Sequence, residues 1–482
     1  MQYKWTVLTV TTVGVLMSGI DSRIVIVGLP QVAAALGADA EQAIWFTQAY
    51  VLASTIILLL IGRLTDIVGR VKIYNIGFAI FTVGSALTSI AMSPIQVILF
   101  RAVQGLGSAF LFTNSVALIA DSTPRKELGL SLGINQIAFR FGAMAGLTIS
   151  GAILSILDWR ALFYINIPVG IFGTIWAHRR LKEVSQIEKG APFDLVGFVL
   201  FAVSLLSFLL ALTFDAYGLT ERLTVIGLVL TAVITFVSFV MYERKARYPV
   251  LDFKLFKIRE FTGGVISQML NAIAWGGVML LLSLYLQLVQ GLSALDAGVR
   301  IVPFELAFLI FGPISGRLSD KFGQRPFIMS GLTLTSLSLF LLSTTGINTS
   351  YNDVVLYMMI LGAGIGMFSS PNISSVMGSV PAKQRGVASA VRAIFFNVGF
   401  TISLNLAILV MSAIIPYSLV SSIISSGDNV SLPLAEKVLF AQALSHTFFW
   451  MGVLNTAAVI PSLLRGKVSK PEVVKVPAGF EE

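Results

Sequence analysis

The segments GRLTDIVGR at residues 62–70 and GRLSDKFG at residues 316–323 share the pattern G-R-L-[S/T]-D-x-x-G at an offset of 254 residues. Each follows directly on an apolar run that is long enough to cross a membrane. A charged pattern that recurs at the same point of two apolar runs indicates an internal repeat. The chain is therefore predicted to contain two halves of similar architecture, related by an axis along the membrane normal.

Apolar residues dominate the rest of the sequence. Hydrophobic residues make up 56% of the 482 positions and charged residues only 12%, whereas soluble globular domains contain about 25% charged residues. A soluble enzyme of this size is therefore excluded, and we predict an all-α integral membrane protein. About 20 apolar residues form one crossing, and on this basis the sequence predicts fourteen spans: 5–29, 44–64, 73–92, 94–119, 132–157, 163–180, 194–214, 223–242, 261–289, 299–316, 326–346, 354–378, 388–415 and 443–464.

Residue types that carry much of enzyme chemistry are scarce. Cysteine is absent and histidine occurs only as His178 and His446, which excludes disulfides, thiol nucleophiles and metal sites rich in Cys or His. The phosphate-loop pattern G-x-x-x-x-G-K-[S/T] does not occur. We therefore expect a protein that is not an enzyme, binds no metal or cofactor and does not use ATP.

Basic residues are distributed unevenly among the loops. With the N-terminus in the cytoplasm, 25 of the 33 Lys and Arg fall in cytoplasmic loops and tails, and only Arg160, Arg222 and Lys437 fall in outer loops. This bias follows the positive-inside rule and predicts a multi-pass protein of the plasma membrane with both termini in the cytoplasm. It also accounts for most of the net charge of +9, so nucleic acid is not an expected partner.

The spans fall into three groups along the chain. Six precede the charged stretch near residue 181, six follow the one near residue 260, and two lie between. We predict a first six-helix bundle at 1–180, two inserted linker helices at 181–260, a second six-helix bundle at 261–464 and a cytoplasmic tail at 465–482. The long outer segment 416–442 is interpreted as a hairpin or a lid over the outer mouth, and its role stays open.

Further motifs lie inside the spans. R-x-x-Q-G-x-G runs from Arg101 to Gly107, W-R-x-x-F-x-x-N-x-P-x-G runs from Trp159 to Gly170, and the membrane aspartate Asp21 precedes G-L-P at residues 28–30. With the two loop motifs, this set resembles the major facilitator superfamily, and within it the fourteen-helix drug:proton antiporters, over nearly the whole chain. The resemblance implies a major-facilitator fold with helices arranged 6 + 2 + 6.

The fifth span departs from the antiporter motif of that family, which is similar to G-x-x-x-G-P-x-x-G-G. Here Gly142, Gly146 and Gly151 match, but Leu147 replaces the proline and Ser150 replaces a glycine. In the family that the chain resembles, this motif is associated with the direction of antiport. The departure therefore weakens the expectation of export.

Ionisable residues within the spans are candidate functional residues, because each costs about 2.5–3.5 kcal/mol to insert. Asp21 and Arg101 lie in helices that, by resemblance, line the central cavity. A carboxylate holds its proton more tightly in an apolar environment and less tightly beside a guanidinium. A conformational change that alters the burial of Asp21 or its distance from Arg101 would make Asp21 a proton carrier. The alternative is a permanent ion pair between the two residues. Glu305 is interpreted as a second proton site, a substrate-binding carboxylate, or a protonated or outward-snorkelling side chain.

Polar and charged residues of the spans are the expected substrate contacts. The candidates are Arg23, Gln104, Asn114, Gln136, Arg140, Gln268 and Asn271. For each uncharged candidate, a hydrogen bond between helices is the alternative explanation. Four arginines lie within the spans against two carboxylates. This excess favours a second hypothesis, an anionic or zwitterionic substrate held by Arg23 and Arg140.

The two loop motifs are predicted to form a conformational latch. Gly62 and Gly69 permit close helix approach, Asp66 can reach the positive N-terminus of a neighbouring helix, and Arg63 and Arg70 can bridge to carboxylates of the other half. By resemblance, this latch holds the outward-open state. The second copy comprises Gly316, Arg317, Asp320 and Gly323. A positively charged loop that only sets the topology is the alternative.

Taken together, the residues and the resemblance predict a secondary active transporter. The first hypothesis is a proton-coupled antiporter that exports amphipathic small molecules, in the manner of multidrug efflux, by alternating access. A transporter of an anionic, zwitterionic or lipid-like metabolite is the second hypothesis, and a non-transporting membrane receptor or scaffold is the third. We expect a small-molecule substrate, protons (with sodium as the alternative coupling ion) and the lipid bilayer as partners of a monomeric chain.

Overall fold

A computed structural model of the chain describes residues 3–123, 125–183, 194–217, 222–246, 251, 253–380, 385–416 and 433–465. These residues form helices and connecting turns, and no β-strand occurs among them. Most of the outer segment 416–442 and most of the tail at 465–482 lie outside the described residues. The predictions for those two segments are therefore not addressed by the structure.

Seventeen α-helices occur in the described part of the chain. They are α1 (Tyr3–Leu36), α2 (Ala40–Val68), α3 (Arg70–Ser89), α4 (Pro94–Ser122), α5 (Arg125–Leu154), α6 (Ala161–Tyr164), α7 (Asn166–Arg180), α8 (Leu195–Tyr217), α9 (Arg222–Glu243), α10 (Arg259–Trp275), α11 (Val278–Leu284), α12 (Ala294–Phe322), α13 (Gln324–Leu342), α14 (Tyr351–Gly378), α15 (Arg385–Ser412), α16 (Leu434–Ala457) and α17 (Val459–Leu463). A 3₁₀ turn at Phe253–Lys257 precedes α10, and a π-helical turn at Tyr285–Val289 follows α11.

The predicted membrane spans correspond to these helices. Thirteen helical stretches of the described chain are long and apolar enough to cross a membrane, and α2 is a further helix of 29 residues. Three predicted spans are helices with a break: α6 and α7, then α10 and α11 with the π-helical turn, and α16 and α17. The predicted all-α membrane fold is confirmed.

The internal repeat extends well beyond the loop motif. Helix α12 begins and ends 254 residues after α2, at Ala294–Phe322 against Ala40–Val68. The turns that flank the two helices repeat as well, because Gly37 and Gly291 have φ of 63° and 70°, and Gly69 and Gly323 have φ of 101° and 88°. Glycine adopts positive φ without the steric cost that other residues pay. The glycine turns that redirect the chain therefore recur at both ends of the two helices.

We name the two ends of the bundle by these turns, the Gly37 end and the Gly69 end. Within the first half, α1 packs on α5, and α4 packs on α2 and α3. Within the second half, α14 packs on α12 and α13, and α10 packs on α15. The halves meet where α5 contacts α12 and α2 contacts α15, and the inserted pair α8 and α9 packs beside α2 and α15.

The halves are closed against each other at the Gly37 end. A Cβ at Gly298 of α12 would lie 2.5 Å from the carbonyl oxygen of Leu147 in α5, and a Cβ at Gly151 would clash with the backbone of Leu295. Around these contacts one cluster of buried apolar residues runs across both halves, including Val27 of α1 and Ile301 of α12. The backbones of α5 and α12 therefore pack in direct contact at this end.

Candidate functional site

Asp21 of α1 lies at the centre of a fully buried polar network in the first half. Arg101 donates to Asp21 Oδ2 at 2.6 Å. Gln104 and Asn166 donate to Asp21 Oδ1 at 2.8 and 3.0 Å, and both also donate to Ser85 Oγ at 3.1 Å. We call these five residues the Asp21 cluster. It joins α1, α3, α4 and α7, and both oxygens of its carboxylate accept hydrogen bonds.

Arg101 is held on its other sides as well. Its Nε donates to the carbonyl oxygen of Phe46 at 3.1 Å, and its guanidinium lies 4.4 Å from the ring centroid of Tyr50. The Tyr50 hydroxyl donates to Ser108 at 2.6 Å. A buried charge is tolerated where it is paired and hydrogen-bonded. The Asp21 cluster meets this requirement within the first half alone.

Two of the predicted cavity residues make their described contacts inside the first half. Gln104 belongs to the Asp21 cluster, three residues after Arg101 on the same helical face, and its side chain has no exposed surface. Asn114 is buried and donates to the carbonyl oxygen of Phe110 in its own helix at 2.9 Å. Neither residue lines a cavity between the halves in this conformation, and their role as substrate contacts stays a prediction.

A second polar region lies between the two halves. Its cavity, which we call the interface cavity, is lined by Arg140, Gln268, Asn271, Trp275, Ile365, Phe368, Ser369 and Phe396. Arg140 comes from α5, and the other seven come from α10, α14 and α15. A neighbouring, almost entirely apolar cavity lies towards the Gly37 end, and its walls include Leu29, Leu280 and Phe400. The interface between the halves thus offers a charged compartment beside an apolar one.

Arg23 and Glu305 form an ion pair across the halves. Arg23 Nε of α1 lies 3.7 Å from Glu305 Oε1 of α12, and both side chains are buried. Neither oxygen of Glu305 has a hydrogen-bond partner among the described residues, and Nη1 of Arg23 also has none. The Arg23 guanidinium lies 5.9 Å from the ring centroids of Trp275 and Phe400. This pair is therefore less completely compensated than the Asp21 cluster.

Arg140 has no carboxylate of its own. Its guanidinium stacks 3.7 Å from the ring centroid of Phe308, and it interacts electrostatically with Glu305 and Arg23. Within the described ranges, no carboxylate lies within 4.0 Å of it. Arg140 in the cavity and the pair of Arg23 and Glu305 beside it therefore give this part of the interface an excess of one positive charge.

The remaining cavity candidates are partly brought together. Gln268 and Asn271 of α10 line the interface cavity with Arg140, although Asn271 also donates to Asn455 of α16 at 2.7 Å. Gln136 is exposed and lies one helical turn before Arg140 on α5. The predicted substrate residues Arg23, Gln136, Arg140, Gln268 and Asn271 thus lie on or beside one interface.

The glycines of the fifth span pack against neighbouring backbones. A Cβ at Gly142 or Gly146 would clash with the carbonyl oxygens of Leu16 or Ile20 in α1. Gly151, near the end of α5, instead faces Leu295 of the other half. The helix-5 motif therefore allows α5 to lie close to both α1 and α12.

The loop motifs are described only in part. The side chains of Gly62, Arg63, Asp66 and Asp320 lie outside the described residues. Arg70, which was predicted to reach the other half, pairs instead with Asp121 of α4 at 2.6 Å in its own half. In the second copy, Gly316 packs against Ser370, and Arg317 is exposed. In this conformation the described part of the latch makes contacts within each half.

Sequence reasoning missed the aromatic walls of the site. Trp275, Phe308, Phe396 and Phe400 surround the arginines, yet aromatic residues are frequent throughout an apolar chain. The spacing of Phe396 and Phe400, one helical turn apart on α15, was the available signal. Among the described residues, no group of three or more His, Asp or Glu is placed to hold a metal ion.

Comparison with known proteins identifies the family. The family model of the Major Facilitator Superfamily matches residues 11–404. This chain belongs to the Major Facilitator Superfamily. As a member of that superfamily it is a multi-pass membrane transporter of small molecules rather than an enzyme.

Curated relatives of this superfamily member cover most of the chain. The riboflavin transporter RibZ of Clostridioides difficile is 32% identical over 83% of this chain and 87% of its own length. The multidrug transporter protein MdtP of Bacillus subtilis is 30% identical over 99% of this chain and 86% of its own length. The tetracenomycin C resistance and export protein of Streptomyces glaucescens is 28% identical over 82% and 73%.

Solved structures support the same major-facilitator fold. A bacterial homologue of the human lysosomal transporter Spinster, in an inward-facing conformation, matches with a TM-score of 0.67 at 15% identity, over 96% of this chain and 97% of that one. The xylose transporter XylE of E. coli matches with a TM-score of 0.59 at 16% identity, over 95% and 97%. At these identities the likeness extends to the fold alone.

Proposed function

We propose that this chain is a proton-coupled antiporter that exports amphipathic small molecules by alternating access. The observation that carries the proposal is the pairing of a charged cavity with an apolar cavity between the two halves. An amphipathic molecule suits this pairing once the halves move apart, because its polar group contacts the charged part and its apolar part is removed from water. The multidrug and export functions for which two of the relatives are named favour the same function.

Alternating access in this proposal is a rocking of residues 1–180 against residues 261–464, with 181–260 as the inserted pair. Closure at the Gly37 end is the described state, in which Gly298 packs on Leu147. The excess of Lys and Arg in the loops that lie with the termini supports the proposal that the Gly69 end and both termini lie in the cytoplasm. The chain works as a monomer in the plasma membrane in this proposal.

The proposed proton-coupling residues are Asp21, Arg101 and Glu305, and their surroundings differ. Asp21 accepts hydrogen bonds from Arg101, Gln104 and Asn166. Neither carboxylate oxygen of Glu305 has such a partner in the described chain, and its ion pair with Arg23 joins the two halves. We therefore assign the exchangeable proton to Glu305. Its protonation removes a charge pair that favours the described state.

Glu305→Gln is expected to abolish the dependence of transport on a pH gradient, while counterflow at equal pH stays above about half of the wild-type rate. Glutamine keeps the shape of the side chain but cannot exchange a proton. The measurement uses proteoliposomes and a panel of amphipathic dyes of both charges, such as ethidium and naphthalene-2-carboxylate.

Glu436→Gln is the matched control, because Glu436 lies in the first turn of α16, away from both cavities. A Glu305→Gln protein that still accumulates dye in response to a pH gradient contradicts the assignment to Glu305. An absence of counterflow for every dye in the wild-type protein contradicts the transport proposal itself.

A second candidate function is the transport of an anionic or zwitterionic substrate. The observation in its favour is the pair Arg23 and Arg140 beside the single carboxylate Glu305. Guanidinium groups bind carboxylates and related anions through two parallel hydrogen bonds. Counterflow of the anionic dyes but not of ethidium supports this candidate over the export of cations.

A further inference from the structure

Arg140 is a cation at the interface cavity whose described contacts are aromatic. The ring of Phe308 covers one face of the guanidinium at 3.7 Å, and Phe139 lies 5.9 Å away. A ring face contributes about 0.5–2 kcal/mol to a cation, and Arg140 is only half-buried, so that these rings do not enclose its guanidinium. The guanidinium donors of Arg140 remain free to bind an anion, since they make no described hydrogen bond.

Glu305 does not supply that anion for both arginines. Its carboxylate lies within 4.0 Å of Arg23 but not of Arg140, so that the first guanidinium is paired and the second is not. One additional negative charge next to Arg140 would bring the three groups to neutrality. A neutral or cationic ligand would leave this imbalance unchanged or increase it.

The walls of the same cavity are aromatic, and in this conformation they pack on one another around a space of about 20 Å³, so a flat ring enters only when the halves move apart. The ring centroid of Trp275 lies 6.2 Å from that of Phe396, and Phe368 lines the cavity beside them. Rings at such separations form offset or edge-to-face pairs, each contributing about 0.5–1.5 kcal/mol beyond the area that they bury.

Two buried polar atoms of the cavity residues also lack a described partner. They are Trp275 Nε1, which can only donate, and Gln268 Oε1, which accepts. Both side chains are more than nine-tenths buried and line the cavity with Arg140. A buried polar atom without a hydrogen bond costs about 1–3 kcal/mol. A ligand that carries an acceptor and a donor next to its ring would satisfy both atoms.

We propose that the interface cavity, once the halves have moved apart, binds an aromatic monoanion, with the anionic group on the Arg140 guanidinium and the ring against Trp275 and Phe396. Polar atoms at the ring edge pair with Trp275 Nε1 and Gln268 Oε1. This inference rests on the proposed function in one respect, that the interface cavity is the substrate site. It narrows the substrate class to planar aromatic molecules with one negative charge.

The test compares three ligands of one shape on the full-length protein in lipid nanodiscs. They are naphthalene-2-carboxylate, its neutral amide naphthalene-2-carboxamide, and the cation 2-naphthylmethylammonium. Calorimetric titration is expected to give the carboxylate an affinity about tenfold or more above both others, because an anion gains a charge-assisted hydrogen bond that a neutral group does not.

Arg140→Gln is expected to reduce carboxylate binding to the level of the amide while leaving amide binding within about twofold. Arg140→Lys, which keeps the charge without the planar guanidinium, is expected to retain part of the preference. The matched control is Arg300→Gln, since Arg300 also stacks on an aromatic ring, Tyr351, at 4.6 Å but does not line the cavity. Its ligand preference is expected to equal that of the wild type.

Equal binding of carboxylate and amide, failure of all three ligands to bind, or an unchanged preference in Arg140→Gln overturns the inference. Amide titration and thermal unfolding of each variant separate a misfolded variant from a lost anion site. These outcomes are distinct from failure of the transport proposal, which is decided by dye counterflow in proteoliposomes. A protein that transports ethidium but does not prefer the carboxylate retains the proposed function and loses this substrate class.

Discussion

Arg101→Ala is expected to lower the free energy of unfolding by about 3–5 kcal/mol, because it leaves the buried carboxylate of Asp21 without its counter-charge. The two side chains are 1% and 0% exposed, so water cannot replace the lost partner without opening the first half. Alanine also removes the donor to the Phe46 carbonyl oxygen and to Gln104 Oε1. Thermal unfolding followed by tryptophan fluorescence in detergent measures the loss.

The double variant Asp21→Asn with Arg101→Met separates charge from packing. Removal of both charges is expected to recover half or more of the lost stability, because a buried ion pair replaced by neutral groups of similar volume is often nearly neutral. Arg300→Ala is the control, since its guanidinium lies over Tyr351 outside the Asp21 cluster. A double variant as unstable as Arg101→Ala contradicts the explanation by charge.

The same geometry changes what is expected of Asp21→Asn alone. On sequence grounds Asp21 was a candidate proton carrier, so this substitution would affect coupling without affecting folding. In the structure the asparagine would leave Arg101 buried without a carboxylate, while Gln104 and Asn166 keep an acceptor. Loss of transport in Asp21→Asn is therefore informative only when its stability is measured in the same preparation.

The fold followed from features that the sequence states directly. The length of the apolar runs and the turn glycines are local properties. Each predicts a helix or a turn without reference to distant residues, and the repeat at offset 254 shows the same pattern twice. The ion pair of Arg23 with Glu305 is different in kind. It depends on how α1 packs against α12, and a spacing of 282 residues contains no information about that contact.

One contact of the Asp21 cluster could be predicted from the sequence. Gln104 lies three residues after Arg101, and residues at that spacing share a helical face. This spacing predicts that Gln104 accompanies Arg101, as it does in the Asp21 cluster. The direction of Arg140 was not available in the same way, because α5 contacts both α1 and α12 and its glycines fit either neighbour.

The two buried charge groups have different positions relative to the moving parts. All five members of the Asp21 cluster belong to the first half, so rocking of the halves leaves their contacts unchanged. Arg23 and Glu305 belong to different halves, so the same motion separates or joins them. In the proposed mechanism, a proton or a substrate that acts on the second group therefore changes the conformational equilibrium directly, since it stabilises one state more than the other.

Gly298→Leu is expected to reduce transport by about tenfold or more by preventing closure at the Gly37 end. A side chain there meets the Leu147 carbonyl carbon and oxygen of α5 and the side chain of Val27 in α1. Added volume in a packed interface costs about 1–3 kcal/mol, and more against a backbone, and each 1.4 kcal/mol changes a population tenfold. The halves can relieve the clash by separating at this end. The substitution is therefore expected to favour the conformation that is open at the Gly37 end rather than to unfold the protein.

Single-cysteine labelling can measure that shift directly, because the chain contains no cysteine of its own. Ala294→Cys is the reporter, since Ala294 is buried and lies against Gly151 of the other half. A membrane-impermeant maleimide is expected to label it about tenfold faster in the Gly298→Leu background, in line with the population change. Gly227→Leu is the control, because a Cβ at Gly227 of α9 meets no atom within 4 Å. Unchanged labelling together with normal transport in Gly298→Leu would mean that contact between α5 and α12 is not what closes this end.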